Sequence, residues 1–257
     1  MLLAVDIGNT NITIGGFRNP ARDEIAFTAR MTTVHGRTAD EIAAELKSVI
    51  SLKFDALNKV NSAVISSVVP RLTDVFSQAI RRLFGVSPMI LGPGVKTGLN
   101  ILIDNPAQLG SDIVAVSVAA KELFPLPNVV CDLGTASTIS TLDRSGNMLG
   151  CVIYPGVGKS LDALVQGTSL LQMISLDAPA RVIGRNTVES MQSGVIFGAA
   201  CLLDGMIGRI EEELGEPVTA IATGGLSSSI AAHCKRDFIL SENLILIGLR
   251  MIYHKNL

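Results

Sequence analysis

Two acidic glycine turns carry the residues of this chain best suited to chemistry. Asp6-Ile7-Gly8-Asn9-Thr10 and Asp132-Leu133-Gly134-Thr135-Ala136-Ser137-Thr138 each place a carboxylate two residues before a glycine and hydroxyl side chains just after it. An Asp at a strand end can hold a hydrated Mg²⁺, glycine lets backbone N–H groups approach phosphate oxygens, and Thr or Ser hydroxyls add donors. Two such turns facing each other would grip a nucleoside triphosphate from both sides. The plainer alternative is an ordinary hairpin turn, for which Asn and Gly are also well suited.

Each turn follows an apolar run that reads as a buried strand, Leu2–Val5 and Asn128–Cys131, and each resumes a β-branched run, Asn11–Ile14 and Ile139–Leu142. The first half opens as a meander of Leu2–Val5, Asn11–Phe17 and Glu24–Met31. A helix follows from Ala39: Thr38 and Glu41 have capping-box spacing, and Ile42, Leu46 and Ile50 form one apolar stripe. Ala63–Val68 reads as a buried strand ended by Pro70, Thr73–Phe84 as a helix, Leu91–Pro106 as an ordered surface loop, and Pro106–Phe124 as a helix. The second half repeats the theme, with strands near Asn128–Asp132, Thr138–Leu142 and Met148–Ile153 and helices near Lys159–Val165, Asn186–Leu214 and Ala231–His233. The order predicts an α/β architecture built twice.

A length of 257 residues fits one large or two smaller domains, and 48% hydrophobic against 17% charged residues indicates a well-filled core. No apolar stretch approaches the roughly 20 residues needed to span a bilayer, and the first strand starts at Leu2 without a basic leader, so a cytoplasmic enzyme with no membrane partner is expected. The formal charge of −2 and the isolated basic pairs Arg81-Arg82 and Lys235-Arg236, read as solvated, argue against a nucleic-acid surface. Cys131, Cys151, Cys201 and Cys234 have no zinc-site spacing, and three of them lie in apolar runs and read as core residues. Met173, Met191 and Met206 read as core filler, and the scattered His35, His233 and His254 as surface or packing residues. Lys96 lies in a glycine-rich loop, but the spacing is not that of a P-loop.

With both turns in view the chain resembles the actin-like ATPase superfamily, and Ala222-Thr223-Gly224-Gly225-Leu226-Ser227 is similar to its adenosine loop. The segments Asp6–Asn11, Ala63–Pro70, Gly92–Leu99, Gly184–Thr187 and Gly248–Tyr253 then resemble the type III pantothenate kinases over nearly the whole chain. That resemblance implies two RNase H-like domains with mixed five-stranded sheets and flanking helices, and an active site in the cleft between them. The first domain would span residues 1–120 with the first phosphate loop and the catalytic Asp. The second would span 121–257 with the second phosphate loop and the adenosine loop, its last helix packing back on the first. The implied reaction is ATP-dependent phosphorylation of the pantothenate hydroxyl, with Mg²⁺, a monovalent cation (K⁺ or NH₄⁺) and a homodimer, for which Asn186–Leu214 is the candidate interface helix.

Carried onto this chain, the resemblance makes Asp112 the acceptor of the substrate proton. Asp6, Ile7, Gly8, Asn9, Thr10, Asn11, Ile12, Thr13, Thr135, Gly224 and Gly225 would bind ATP. Gly110, Ser111, Asp112, Ile113, Ile103 and Thr187 would line the acceptor site, Asp132 would hold the monovalent cation, and Asp6 the Mg²⁺ through water. Asp112 reads equally as a helix N-terminal charge, a device stabilising by about 0.3–1 kcal/mol. Three departures stand out: Ile113 replaces the family's carboxylate-pairing Arg, Ile103 its Tyr, and Gln166-Gly167-Thr168-Ser169 its usual Arg-Thr-Ala. Either Lys159, Arg185 or Lys96 meets the acid, or the acceptor differs. A kinase for another small molecule and a nucleotide-binding regulatory paralogue are the alternatives.

Overall fold

The computed structural model describes residues 1–22, 24–53 and 60–257. The chain divides into two units, one of Met1–Leu99, Asp104–Glu122 and Asn243–Leu257, the other of Asn100–Ile103 and Leu123–Glu242.

In the first unit, β1 (Leu2–Ile7), β2 (Asn11–Phe17) and β3 (Ile25–Thr32) form the meander, and β4 (Ser62–Ser67) and β5 (Met89–Ile90) extend it in parallel, giving the order β3-β2-β1-β4-β5. Helices α1 (Ala39–Ser51), α2 (Pro70–Phe84) and α3 (Ser111–Leu123) accompany it. The core gathers Leu3, Val5, Ile65, Ile42, Leu46, Phe76 and Ile80 among others. The capping box of α1 is complete: Thr38 N–H donates to Glu41 Oε2 at 2.7 Å and Glu41 N–H returns to Thr38 Oγ1 at 3.4 Å. Pro70, expected to end the strand, instead opens α2 three residues earlier than predicted. Its missing N–H costs nothing in a first turn, where that donor has no helical partner. The helix expected over Pro106–Phe124 is split into a 3-10 turn at Pro106–Gln108 and α3, with Gly110 between them.

In the second unit, β6 (Asn128–Leu133), β7 (Ala136–Leu142), β8 (Met148–Pro155), β9 (Thr219–Thr223) and β10 (Ile239–Leu240) run β10-β9-β6-β7-β8, the same order seen from the other edge. The duplication extends to single residues. β1 and β6 share one burial pattern, β2 and β7 share another, and Asp6 faces Thr13 across its hairpin as Asp132 faces Thr138. Helices α4 (Val157–Gln166), α5 (Thr187–Leu214) and α6 (Ser227–Ala231) complete the unit. The short helix expected at Ala231–His233 lies four residues earlier, because Ser227 closes it with its hydroxyl on the Gly224 carbonyl at 2.8 Å.

Helix α5 corrects the expectation about apolar length. Its 28 residues include an 18-residue window of mean hydropathy 1.4, so by length and composition alone it could cross a bilayer. Val195–Leu203, Met206 and Ile207 raise the average, and Gly198, Asp204, Gly205 and Gly208 interrupt the run. Other corrections concern single side chains. Arg236 is not solvated but clasps Glu211 with both terminal guanidinium nitrogens, at 3.0 and 2.8 Å. Cys131 is buried whereas Cys201 is exposed. Met191 is buried but Met173 is 62% exposed.

The last helix, α7 (Leu244–Lys255), belongs to the first unit and contacts β1, β2 and β4. Gly248 makes this possible, since a Cβ there would stand 1.9 Å from the Ala115 carbonyl oxygen of α3. Gly248→Ala gains about 1 kcal/mol of helix propensity, less than the about 1–3 kcal/mol that overpacking costs against backbone that cannot yield. The expected result is a melting midpoint lower by several degrees; an unchanged or higher midpoint by calorimetry would refute the close approach.

Candidate active site

The first hairpin closes tightly at the end of β1. Gly8 N–H donates to the Asn11 carbonyl at 3.0 Å, and from β3's end Thr33 donates its hydroxyl to the Gly8 carbonyl at 2.7 Å and its N–H to the Thr10 carbonyl at 2.9 Å. Asn9, Thr10 and Asn11 are exposed and Asp6, Gly8 and Thr13 half-buried. Ile7 and Ile12 are 0% and 1% exposed, so only their main chain can meet a ligand. The turn thus presents amide and hydroxyl groups beside one carboxylate, a combination suited to phosphate and its counter-ion.

In the second unit three separate segments converge on Asp132. The parallel pairing of β6 with β9 sets Asp132 opposite Thr223, so Gly224 follows directly beside it. Gly224 has φ +92°, and a Cβ there would lie 2.6 Å from Asp132 Oδ1 and 2.7 Å from Leu133 N. On the other side Gly156 donates its N–H to the Thr135 carbonyl at 3.0 Å, and a Cβ on Gly156 would stand 2.1 Å from the Gly134 carbonyl oxygen. Asp132, Thr135 and Gly224 are therefore held together by glycines that permit backbone to touch backbone. Gly225 is exposed next to them. Gly156 escaped the sequence reading; the Pro155-Gly156 break after β8 was its signal.

Asp112 stands in the first turn of α3. Its Oδ1 accepts the Ile113 N–H at 2.8 Å, and the carboxylate folds over Gly110, where a Cβ would lie 2.3 Å from that oxygen. Burial pushes its carboxyl above the usual aspartate range, opposed in part by hydrogen bonds from the N–H groups of Ile113 and of Asp112 itself. The preceding residue, Ser111, hydrogen-bonds to Ser66 and Ser67 at the end of β4, and Ser66 faces Asp6 across the β1–β4 pairing. Asp6 and Asp112 are thus linked within one unit through two serines, of which Ser66 was missed; a buried polar residue directly after the apolar run Ala63–Ile65 was the available sign. Ile113 is only 7% exposed and packs into the helix's buried face.

Thr187 opens α5, whose N-cap Asn186 accepts the Glu189 N–H at 2.9 Å. Together with Arg185, Tyr154, Ser160 and Met191 it lines a cavity of about 840 Å³. Burial pushes the Tyr154 phenol up to about 12. Of the three cations that could replace a guanidinium at position 113, Lys159 already pairs with Asp162 at 3.6 Å. Lys96 lies in the first unit, where its N–H and carbonyl are both held by Asn256 at 3.1 and 2.8 Å. Arg185 shares the cavity with Thr187. Ile103 lies in the Asn100–Ile103 segment, which pairs with Met148 of β8.

A family model described as type III pantothenate kinase matches residues 2–209. A type III pantothenate kinase of Myxococcus xanthus is 41% identical over 256 residues, covering 100% of this chain and 99% of the relative. The chain belongs to the type III pantothenate kinase family. A second member, from Anaeromyxobacter sp. strain Fw109-5, is 39% identical with 100% of both chains covered. Solved structures with the same actin-like ATPase fold include the activator of the 2-hydroxyisocaproyl-CoA dehydratase from Clostridium difficile with bound ADPNP, at TM-score 0.59 and 13% identity over 98% of this chain and 93% of that one. Component A of the (R)-2-hydroxyglutaryl-CoA dehydratase of Acidaminococcus fermentans has TM-score 0.57 and 11% identity, over 98% and 96%. Family and fold agree with the twin hairpins, and positions 103 and 113 are both isoleucine here.

Proposed function

We propose that this chain transfers the γ-phosphoryl group of ATP to the pantothenate hydroxyl, giving 4′-phosphopantothenate and ADP in the first step of coenzyme A synthesis. Full-length similarity to type III pantothenate kinases carries this reading. The kinase uses ATP together with a divalent metal. The hydroxyl oxygen bonds to the γ-phosphorus as the bond to ADP breaks, and the proton passes to Asp112 Oδ1 or Oδ2. Transfer of this kind is governed by positioning and charge, and the carboxylate mainly orients the nucleophile.

The exposed amides and hydroxyls of Gly8–Asn11 and the Thr135–Gly224 cradle bind phosphates in this scheme. Asp6, a half-buried carboxylate at a strand end, would hold Mg²⁺ through water, and the ion would supply charge neutralisation for the transferring group. Asp132 offers a hard oxygen against Gly224, the donor type that would suit K⁺ or NH₄⁺. Residues 1–120 and 121–257, with α7 returned to the first part, are the corresponding functional domains.

Arg185 and Thr187 meet the acceptor's carboxylate end. Truncating one charge-assisted pair forfeits about 1.5–3 kcal/mol, so Arg185→Ala should raise the KM for pantothenate by roughly ten- to a hundredfold and leave the KM for ATP unchanged. Equal KM values in parent and variant would remove Arg185 from the site.

A homodimer in the cytoplasm, using neither nucleic acid nor membrane as partner, completes the proposal. Leu202 on α5 is 37% exposed beside Gly194 and Gly198, and a second copy would cover that face. The buried Ile113, which leaves the first turn of the catalytic helix without a cation, favours one second reading, a kinase for a less anionic acceptor. Steady-state ATP consumption with pantothenate and a panel of neutral hydroxylated acceptors, with K⁺ present, tests both. Turnover with pantothenate is expected; turnover confined to a neutral acceptor would establish the second reading.

A further inference from the structure

We propose that Ser66 is a positioning residue for phosphoryl transfer, acting through Ser111 to fix where Asp112 stands relative to the first phosphate hairpin. The inference rests on Asp112 being the proton acceptor, and deepens that assignment.

Ser66 occupies the fifth position of β4, directly opposite Asp6 of β1, and is 0% exposed. The three residues before it, Ala63, Val64 and Ile65, are equally buried and wholly apolar. A hydroxyl placed there costs about 1–3 kcal/mol unless it is hydrogen-bonded, so a residue serving the core alone would be apolar. The partner it finds is the side chain of Ser111, with the two oxygens 3.0 Å apart.

Valence limits that bond to two arrangements. A serine hydroxyl has one proton and two lone pairs. Ser111 accepts the Ser67 N–H at 3.1 Å and can give its proton to the Ser67 carbonyl at 3.2 Å. With its proton there, one lone pair is left to accept from Ser66; with its proton on Ser66, 3.0 Å away, Ser111 is the donor of the pair. Either way, the Ser111 proton and at least one of its lone pairs are spent inside the fold. The Ser111 side chain is thus a clasp between helix and strand.

The clasp joins strand to helix at one point. Ser67 continues it by accepting the Val69 N–H at 3.1 Å and donating to the Val69 carbonyl at 3.2 Å, which shapes the turn into α2. On the helical side the residue after Ser111 is Asp112, whose carboxylate is already folded over Gly110. Ser66 therefore connects the strand beside Asp6 to the backbone that carries the proton acceptor, with no ligand contact of its own.

Displacement of about 1 Å in a reacting group can cost up to a hundredfold in rate, so Ser66→Ala should lower kcat by roughly ten- to a hundredfold. The KM for ATP should not move. Ser66→Thr keeps the hydroxyl and should recover most of the rate; Ser66→Cys, a weak donor of similar shape, should fall between parent and Ser66→Ala, and serves if the other variants do not fold. A full kcat in Ser66→Ala with only a lower melting midpoint would overturn the proposal, as would an equal kcat loss in all three variants or, where Ser66→Cys alone folds, an unchanged kcat in it. Asp112→Asn assayed in parallel separates the two readings. If it keeps turnover, the proton-acceptor assignment fails and this proposal with it; if it is inactive beside a fully active Ser66→Ala, only the role of Ser66 is lost.

Discussion

Asp112→Asn is expected to lower kcat by about a hundred- to ten-thousandfold, the range general-base removal covers, while ATP binding stays intact. The amide keeps the size of the side chain and can still accept the Ile113 N–H, so the first turn of α3 is undisturbed. What it cannot do is take a proton. Turnover close to the parent's would refute the assignment outright.

The same substitution has a signature in stability, and its sign follows from the raised carboxyl. Burial disfavours the charged form in the folded state, so the folded protein holds this proton to a higher pH than the unfolded chain does. The resulting stabilisation is full below the unfolded-state value and is lost as pH rises through the folded one. At neutral pH the ionised Asp112 thus weakens the fold, and Asp112→Asn should melt at a higher temperature there. The difference should vanish in acid. Activity in the parent needs the ionised form, so the acid limb of its rate profile should lie above the ordinary aspartate value of about 3.9. Catalytic need and stability pull in opposite directions at this residue.

Gly224→Ala should damage the donor side comparably. Two penalties coincide: φ +92° is a conformation L-residues rarely adopt, and the new Cβ would fall within 2.6 Å of the Asp132 carboxylate and 2.7 Å of the Leu133 nitrogen. Strain of this kind costs about 1–3 kcal/mol, and relief requires moving either β6 or the loop after β9. Both moves open the cradle around Asp132. The KM for ATP should rise by roughly ten- to a hundredfold, the scale set by small misplacements of binding groups. Gly150→Ala in β8, where a Cβ meets nothing within 4 Å, is the matched control and should behave as the parent. An ATP dependence in Gly224→Ala equal to that control would show that the loop does not touch nucleotide.

The twin hairpins were legible because their signals are local: an apolar run, an acid, a glycine, a β-branched run. The cap of α1 was legible for the same reason, with Thr38 and Glu41 three residues apart. Pro70 misled because one residue type both closes strands and opens helices, and only the following packing decides. The start of α6 was hidden in Ser227-Ser228-Ser229, whose hydroxyls favour turns as readily as first helical turns. Arg236 looked solvated in a basic pair, but its partner Glu211 is 25 residues away, beyond any periodic pattern. At the candidate site, residue types were readable and contacts were not. Ser66 and Ser111 are 45 residues apart, and nothing in either neighbourhood announces that one hydroxyl will meet the other.

The return of α7 to the first unit has a consequence for the order in which the protein can be completed during synthesis. Leu123–Glu242 leaves the ribosome with every strand of its sheet already present. The first unit, although made earlier, still lacks the helix whose Gly248 lies against Ala115 and whose Arg250 donates to the Pro20 carbonyl at 2.7 Å. Until Asn243–Leu257 emerges, the faces of β1 and α3 that it covers stay open to water and to other nascent chains. The hairpin that begins the chain is among the last parts to be sealed.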